Sequence, residues 1–149
     1  MKLMFTCSRC GKCCEMTEME LSEEDVERLE RISYSREEFS IVGEDGIPRL
    51  RNIGKWCYFY DSAKRLCRVY ANRPLGCRFY PIVYSINGRA TVDPLCPIAW
   101  TMCQDELRAK ENELIKLVKT LENEAVARRV ARETKERELI PFSRAKLRK

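Results

Sequence analysis

The chain has 149 residues, of which 44% are apolar and 34% are charged, and its formal net charge is +5. This length fits one domain with a small addition, and no apolar run is long enough to predict a transmembrane helix. The sequence contains nine cysteines and no histidine, which excludes Cys/His zinc fingers, the two-histidine, one-carboxylate iron site and any Ser-His-Asp triad.

The N-terminal segment contains four cysteines in the run CSRCGKCC, from Cys7 to Cys14. A C-x-x-C spacing lets two thiolates converge on one ion while backbone N–H groups point at the sulfurs. The ferredoxin pattern does not fit, because Cys14 follows Cys13 directly. Neighbouring side chains in extended backbone point to opposite sides. We therefore expect Cys13 and Cys14 to serve two different centres, with the run acting as a hinge between them.

The next segment predicts one short strand and two helices. EMTEMEL, residues 15–21, has the composition of a short strand. Ser22 is a typical N-cap residue, and Asp25 stands at the third helical position behind it. Ser35 is expected to cap a second, shorter helix that ends near Ser40.

The middle of the chain predicts two β-hairpins. WCYFYD and RLCRVY are rich in aromatic and apolar residues and flank a polar turn, which predicts Cys57 and Cys67 on the two arms of one hairpin. Further along, Asn87-Gly88 lies between apolar runs and predicts a two-residue type I′ turn. Between the two hairpins, Pro and Gly break the regular structure immediately before Cys77.

The C-terminal third predicts one long helix, from Thr101 to about Glu138, which would be about 55 Å long if unbroken. One apolar stripe runs along it, formed by Leu107, Leu114, Val118, Leu121 and Ala125. We expect the first half of this helix to pack on the cysteine-rich part. The alternative is a helix that binds a second copy or another protein, which the heptad spacing of its leucines allows.

Basic residues are concentrated at the end of the chain. Residues 128–149 contain nine Lys or Arg and three Glu, whereas the rest of the chain is nearly neutral. A solvated helix face explains this pattern, and the alternative is a patch that binds nucleic acid or an acidic protein. No aromatic platform or helix-turn-helix pattern accompanies the basic segment.

Three uses compete for the nine cysteines: metal ligation, disulfides and buried apolar thiols. Their number is odd, and three of them repeat at a spacing of three residues. The N-terminal apolar patch is too short for the core of a signal peptide, so we expect a cytoplasmic protein whose thiols stay reduced. These observations favour metal ligation. An all-sulfur donor set suits zinc, iron–sulfur clusters or copper(I).

Three segments, CSRCGKCC, WCYFYDSAKRLCRVYANRPLGCRFYP and DPLCP, resemble the CxxCxxCC family of domains proposed to chelate zinc or iron. The resemblance covers about residues 4–98 and implies eight metal ligands: Cys7, Cys10, Cys13, Cys14, Cys57, Cys67, Cys77 and Cys96. Cys103 lies outside the family pattern, and we expect it to be a buried helical thiol.

The flagellin lysine N-methylases are similar in this domain and combine an iron–sulfur centre with S-adenosylmethionine. The resemblance therefore leaves a redox or methyl-transfer activity open, although the chain shows no Gly-rich cofactor loop and no catalytic constellation.

Two groups of non-cysteine residues accompany the expected ligands. Arg73 and Arg78 flank Cys77 and match the family pattern, so they either offset the charge of the thiolates or form surface salt bridges. Aromatic side chains crowd the same region and are expected to shield the centre: Trp56, Tyr58, Phe59, Tyr60, Tyr70, Phe79 and Tyr80.

The sequence thus predicts an α+β protein. Residues 1–100 would form a cysteine-rich domain of short hairpins around two metal centres, and residues 101–149 a long helix with a basic tail. We expect iron or iron–sulfur clusters held by eight thiolates, in redox or group-transfer chemistry and away from membranes. The alternative is a structural zinc module whose helix or basic tail binds a protein or nucleic-acid partner.

Overall fold

The structure is a computed structural model that describes residues 7–139. Its helices are α1 Glu23–Arg31, α2 Arg36–Phe39, α3 Leu75–Phe79 and α4 Gln104–Glu138. Its strands are β1 Ser40–Val42, β2 Pro48–Leu50, β3 Asn52–Ile53, β4 Trp56–Cys57, β5 Tyr60–Asp61, β6 Leu66–Cys67, β7 Ile82–Tyr84 and β8 Ala90–Val92. Three short 3₁₀ turns lie at Lys12–Cys14, Tyr70–Asn72 and Ala99–Thr101. The α+β class expected from the sequence is confirmed.

The eight strands form four separate antiparallel hairpins, each made of two strands that are consecutive in the chain. No sheet of more than two strands forms between residues 7 and 139. Such small sheets are marginally stable alone. They are held by packing against the helices and one another, and the structure depends on that packing rather than on a continuous sheet.

One hydrophobic core supports the region that carries the cysteines. Its fully buried centre is formed by Leu21, Val26, Leu29, Phe39 and Phe59. Phe59 packs against Tyr34 and Phe39, with ring centroids 4.9 and 5.5 Å apart. Cys57 belongs to this core, and Cys14, Cys67 and Cys77 pack on its edge. The cysteines therefore lie directly beside the core.

Two expectations for the first half of the chain are wrong. Residues 15–21 form no strand, because only Glu15 and Glu20 make isolated bridges. Cys57 and Cys67 do not share a hairpin, since Cys57 pairs with Asn52 and Cys67 with Tyr60. Burial of the Phe59 side chain in the core turns the chain between β4 and β5 and so divides the predicted arm in two.

The predicted β7–β8 hairpin forms, but its turn is not type I′. The loop has three residues, 86–88, because Ser85 N–H donates to the Arg89 carbonyl and Gly88 N–H donates to the Ser85 carbonyl. Of these loop residues only Gly88 has a positive φ, at 76°. A type I turn that ends in a left-handed glycine needs no second left-handed residue, whereas type I′ needs two.

Helix α4 packs on the cysteine-rich part, as expected for its first half. It contacts α3, β7 and β8. Its buried residues are Leu114, Leu117, Leu121 and Ala125, so Leu117 belongs to the stripe and was missed, whereas Leu107 and Val118 are half-buried. Neither α4 nor another helix within residues 7–139 is both long and apolar enough to cross a membrane.

The second half of α4 is also attached to the domain. Arg128, Arg129 and Arg132 donate hydrogen bonds to backbone carbonyls of the loop 43–46 between β1 and β2. Arg128 also forms an ion pair with Glu23 at 2.9 Å. Three arginines of the basic segment therefore have partners inside the chain. The part of that segment from residue 140 to 149 lies outside the described residues.

Asp25 joins α1 to the segment that carries Cys77. The capping box expected at Ser22 is present, with both hydrogen bonds between Ser22 and Asp25 at 3.1 Å. The other carboxylate oxygen accepts from Arg28 Nη2 at 2.7 Å and from the backbone N–H of Leu75, the first residue of α3, at 3.0 Å. The side chain of Asp25 is fully buried, so its carboxylate depends on these bonds rather than on water.

Asp25→Ala should lower the free energy of unfolding by about 3–5 kcal/mol, because it leaves the Arg28 charge without a carboxylate partner and the N–H groups of Ser22 and Leu75 without their acceptor. Urea denaturation followed by circular dichroism measures this loss. Glu27→Gln, at an exposed position of the same helix, is the matched control and should change stability by less than about 0.5 kcal/mol. Equal effects of the two substitutions would contradict the role of Asp25.

Candidate metal centre

A cavity of about 690 Å³ opens between the CSRCGKCC segment, the β5–β6 hairpin, α3 and the first turns of α4. All eight cysteines expected as ligands line it: Cys7, Cys10, Cys13, Cys14, Cys57, Cys67, Cys77 and Cys96. Cys103 does not line the cavity. It is an exposed residue at the N-cap of α4, and the expectation of a buried helical thiol is wrong because the helix begins one residue later.

Backbone hydrogen bonds shape the CSRCGKCC segment around its cysteines. The backbone N–H of Arg9 donates to Cys7 Sγ at 3.3 Å. Cys14 N–H donates to the Gly11 carbonyl at 3.0 Å and closes a 3₁₀ turn. N–H groups that point at a sulfur stabilise negative charge on it. One such bond, at Cys7, is therefore present in this segment.

Cys13 and Cys14 lie side by side, with their Sγ atoms 4.0 Å apart. The expectation that their side chains point to opposite sides is wrong. That expectation assumed that the backbone is extended at Cys13 and Cys14. Both residues belong instead to the 3₁₀ turn Lys12–Cys14, in which successive side chains do not point to opposite sides. Both sulfurs therefore face the same cavity.

Gly11 allows the loop to lie on two stacked aromatic rings. It is buried and has a φ of +79°, the left-handed region that favours glycine. A Cβ there would lie 2.5 Å from Tyr60 Oη and 3.2 Å from Trp56 Cζ3. The two rings stack with their centroids 4.8 Å apart. Glycine is thus needed at this position for two independent reasons, the φ angle and the close approach.

Arg73 and Arg78 hold the turn that brings Cys77 to the cavity. Arg73 donates to the carbonyls of Tyr70 and Cys77, at 3.0 and 3.4 Å. Arg78 donates to the carbonyls of Arg73 and Ala71, at 3.0 and 3.1 Å. Within residues 7–139 neither arginine forms an ion pair with a carboxylate, so the salt-bridge interpretation is wrong there. Both arginines line the cavity.

The first turns of α4 form part of the cavity wall, which sequence reasoning missed. Glu106, Lys110 and Glu113 of α4 line the cavity together with Met102, which precedes the helix, although the family pattern ends before them. Their spacing of three to four residues along one helical face was the signal available. Of the seven aromatic residues expected as a shield, five line the cavity: Phe59, Tyr60, Tyr70, Phe79 and Tyr80.

Burial favours the protonated thiol at four of these positions. Burial raises the pKa of Cys57 from 9.0 to about 11. It also raises the pKa of Cys67, Cys77 and Cys96. The hydrogen bond between Cys13 and Cys14 lowers the pKa of Cys13 and raises that of Cys14. Only a bound cation makes several neighbouring thiolates favourable in such surroundings.

The donor set fits a soft metal. All nine cysteines are free thiols, and the eight in the cavity offer sulfur alone. Sulfur donors of this kind bind zinc, iron–sulfur clusters or copper(I). As they stand, no three Cys, Asp or Glu side chains within residues 7–139 are close enough to hold one ion together. The sulfurs surround a space rather than converge on a point.

The family model of the CxxCxxCC domain, a domain proposed to chelate zinc or iron, matches residues 6–97. The chain belongs to the CxxCxxCC family. The match contains all eight cysteines of the cavity and ends before α4. Neither a comparison with curated proteins nor one with solved structures finds a match to this chain. Family membership identifies the domain as one proposed to chelate zinc or iron and leaves the choice of metal open.

Gly11→Ala should destabilise the protein and lower its metal content, because the new methyl group displaces the Tyr60 ring and moves the loop that carries four cysteines. The expected loss of unfolding free energy is about 2–4 kcal/mol. Gly54→Ala is the matched control. Gly54 also has a positive φ, 60°, but nothing lies within 4 Å of a Cβ there. It should cost only about 1 kcal/mol and leave metal content unchanged. Denaturation and metal analysis of both variants test this, and equal metal loss would contradict it.

Metal affinity should rise steeply with pH. Thiols whose pKa is raised are protonated near neutral pH, so each one that becomes a ligand must release a proton. The affinity for zinc should therefore increase about ten-fold or more per pH unit between about pH 6 and 8. Competition with a chelator of known affinity measures it, and Cys103→Ser should show the same slope. An affinity independent of pH would rule out the buried thiols as ligands.

Proposed function

We propose that the eight cysteines hold iron as iron–sulfur centres and that the protein performs redox or group-transfer chemistry with them. The observation that supports this most is the shape of the donor set: eight sulfurs line one cavity of about 690 Å³. A tetrahedral zinc ion, with Zn–S bonds of about 2.3 Å, draws its four sulfurs to about 3.8 Å from one another. A cluster of several metal ions fills more space and accepts sulfurs that lie further apart.

The two halves of the cysteine set would bind such a group from different sides. Four thiols come from the CSRCGKCC segment, and four come from residues 57–96. The aromatic rings of Tyr60, Phe79 and Tyr80 on the cavity wall would exclude water from it. Solvent exposure, net charge and hydrogen bonds to sulfur set the potential of an iron–sulfur cluster.

A bound cluster supplies one-electron transfer. The chain contributes ligands, a largely apolar wall and positive charge. The Arg73 charge favours the thiolate forms of Cys13, Cys67 and Cys77. Tyr80 Oη donates to Asp93 at 3.1 Å, and burial together with this bond raises the pKa of Tyr80, so the phenol stays protonated on the cavity wall. We place this chemistry in the cytoplasm, where thiols stay reduced.

Structural zinc is the second candidate, and a different observation favours it. The 4.0 Å between the sulfurs of Cys13 and Cys14 is close to the separation on a tetrahedral zinc ion. Four two-stranded hairpins also contribute little stability of their own. A structural zinc ion stabilises small domains of this kind by cross-linking their segments. In this case the protein would bind a partner protein or nucleic acid through α4 or the basic segment.

Metal and acid-labile sulfide analysis of protein purified without oxygen decides between these candidates. Iron with a matching amount of sulfide and a broad visible absorption band is the result expected. Zinc without sulfide, in a colourless protein, would replace the iron proposal with the zinc module. Absence of both metals from protein that is folded would contradict both candidates.

Single substitutions test the ligand set. Cys13→Ala, Cys14→Ala and Cys77→Ala should each lower the iron content to about half or less of the wild-type value, since a site with three thiolates holds a cluster poorly. Cys103→Ala is the matched control, because Cys103 is exposed and outside the cavity. Unchanged iron in all three cavity variants, or a loss in the control, would refute the assignment of ligands.

A further inference from the structure

Seven charged side chains line the cavity, five positive and two negative: Arg9, Arg65, Arg73, Arg78, Lys110, Glu106 and Glu113. Five of them have partners. The guanidinium groups of Arg73 and Arg78 donate to backbone carbonyls. Lys110 and Glu113 form an ion pair at 3.5 Å, and Glu106 accepts the N–H of Cys103 at 2.9 Å. These five side chains therefore stabilise the cavity wall through contacts within the described chain.

The guanidinium groups of Arg9 and Arg65 have no hydrogen-bond or ion-pair partner among residues 7–139. Both side chains are exposed at the cavity. Arg68, on the same hairpin as Arg65, differs because its guanidinium donates to the Tyr58 carbonyl at 3.2 Å. Arg9 and Arg65 are therefore the charged groups of the wall that the described fold does not use.

Both arginines also have left-handed backbone, with φ of 60° at Arg9 and 54° at Arg65. This conformation is unfavourable for a residue with a Cβ, and among residues 7–139 four glycines adopt it, whereas Met16 and Ser33 are the other two residues with a Cβ that do. The turns at these two positions account for the backbone angle but not for the choice of arginine. Backbone strain of this kind is typical of functional positions.

The local contacts of Arg65 give no structural reason for its side chain. Arg65 ends the turn between β5 and β6, which Asp61 Oδ1 fixes by accepting the N–H groups of Ala63 and Lys64, both at 3.0 Å. Glycine or asparagine would complete this turn at lower conformational energy. Arg65 combines a strained backbone with an unpartnered guanidinium group at the lining of a cavity that carries eight thiols, and this combination points to a ligand.

We propose that Arg65, assisted by Arg9, binds the carboxylate or phosphate group of a small anionic substrate at the cavity and holds it beside the metal centre. A guanidinium group offers paired N–H donors that match both oxyanions. The cavity of about 690 Å³ lies within the range of about 300–1,000 Å³ that is usual for small-molecule sites, and a metal centre would occupy part of it. The space left beside the metal centre favours a small molecule over a protein or nucleic-acid chain. The inference rests on the proposed function, since it names the substrate class of the same site.

Anion titration of the full chain, purified without oxygen, tests the proposal. Isothermal titration calorimetry with pyrophosphate and, separately, succinate is performed at constant ionic strength. Metal and sulfide are assayed on the same samples. Saturable binding of one anion per chain is expected, and the preferred probe distinguishes a phosphate from a carboxylate substrate. Arg65→Gly should weaken this binding about ten-fold or more, and Arg65→Lys should weaken it less.

Two control variants separate binding from strain and from charge. Ser33→Gly relieves the same left-handed strain, φ 78°, at a position outside the cavity. Lys64→Ala removes a positive charge from the same turn at a position that does not line the cavity. Arg65→Gly and Ser33→Gly should both raise the melting temperature, and only Arg65→Gly should lose anion affinity. Lys64→Ala should bind the anion like the wild type.

Three results would overturn the inference: no saturable binding of either anion to the wild type, unchanged binding in Arg65→Gly, or loss of metal together with anion in that variant. The last result would assign Arg65 to the metal centre itself. Binding of a short single-stranded RNA without binding of the small anions would overturn it as well. Protein that contains metal but binds no anion would leave the proposed function standing. Protein without metal would refute the proposed function, while the anion titration would still decide on the site.

Discussion

Eight sulfur atoms around one cavity are the feature on which the rest of this structure depends. Burial raises the pKa of Cys57 and Cys77, and the contact between Cys13 and Cys14 raises the pKa of Cys14. The site therefore favours protonated thiols until a cation makes thiolates favourable. The chelation of zinc or iron proposed for this family agrees with these energetics, since a metal that bound here would displace protons from the thiols.

The scaffold around the cavity consists of small parts joined by specific contacts. Four two-stranded hairpins contribute little stability of their own. Asp25 connects α1 to the start of α3, which carries Cys77. Gly11 allows the loop with the N-terminal cysteines to pack closely against Tyr60. Helix α4 closes one side of the cavity with its first turns and is fastened to the loop 43–46 by three arginines. The contacts of Asp25 and Gly11 position segments that bring sulfur to the cavity, and the contacts of α4 position one of its walls.

The charged groups of the wall separate into two kinds. Arg73 and Arg78 hold the backbone around Cys77, and the Arg73 charge also favours nearby thiolates. Arg9 and Arg65 make no such contacts within the described chain and occupy strained positions. A cavity that combines eight thiols with unpartnered guanidinium groups has the chemistry that the proposed metal centre and anion site require. The long helix adds a wall to this cavity rather than standing apart from it.

The sequence by itself determined the elements that depend on local chemistry. Ser22 and Asp25 predict the start of α1, the apolar period predicts α4, and Asn87-Gly88 predicts the β7–β8 hairpin. Cysteine spacing and the lack of histidine also narrowed the chemistry to soft-metal ligation. Only the tertiary structure decided which side chains meet. Burial of Phe59 in the core separated Cys57 from the hairpin of Cys67, and a 3₁₀ turn brought Cys13 and Cys14 to the same side. The first outcome depends on contacts between residues that are distant in the chain. The second depends on a backbone turn that the pattern of side chains does not encode. Neither could therefore be predicted from local sequence.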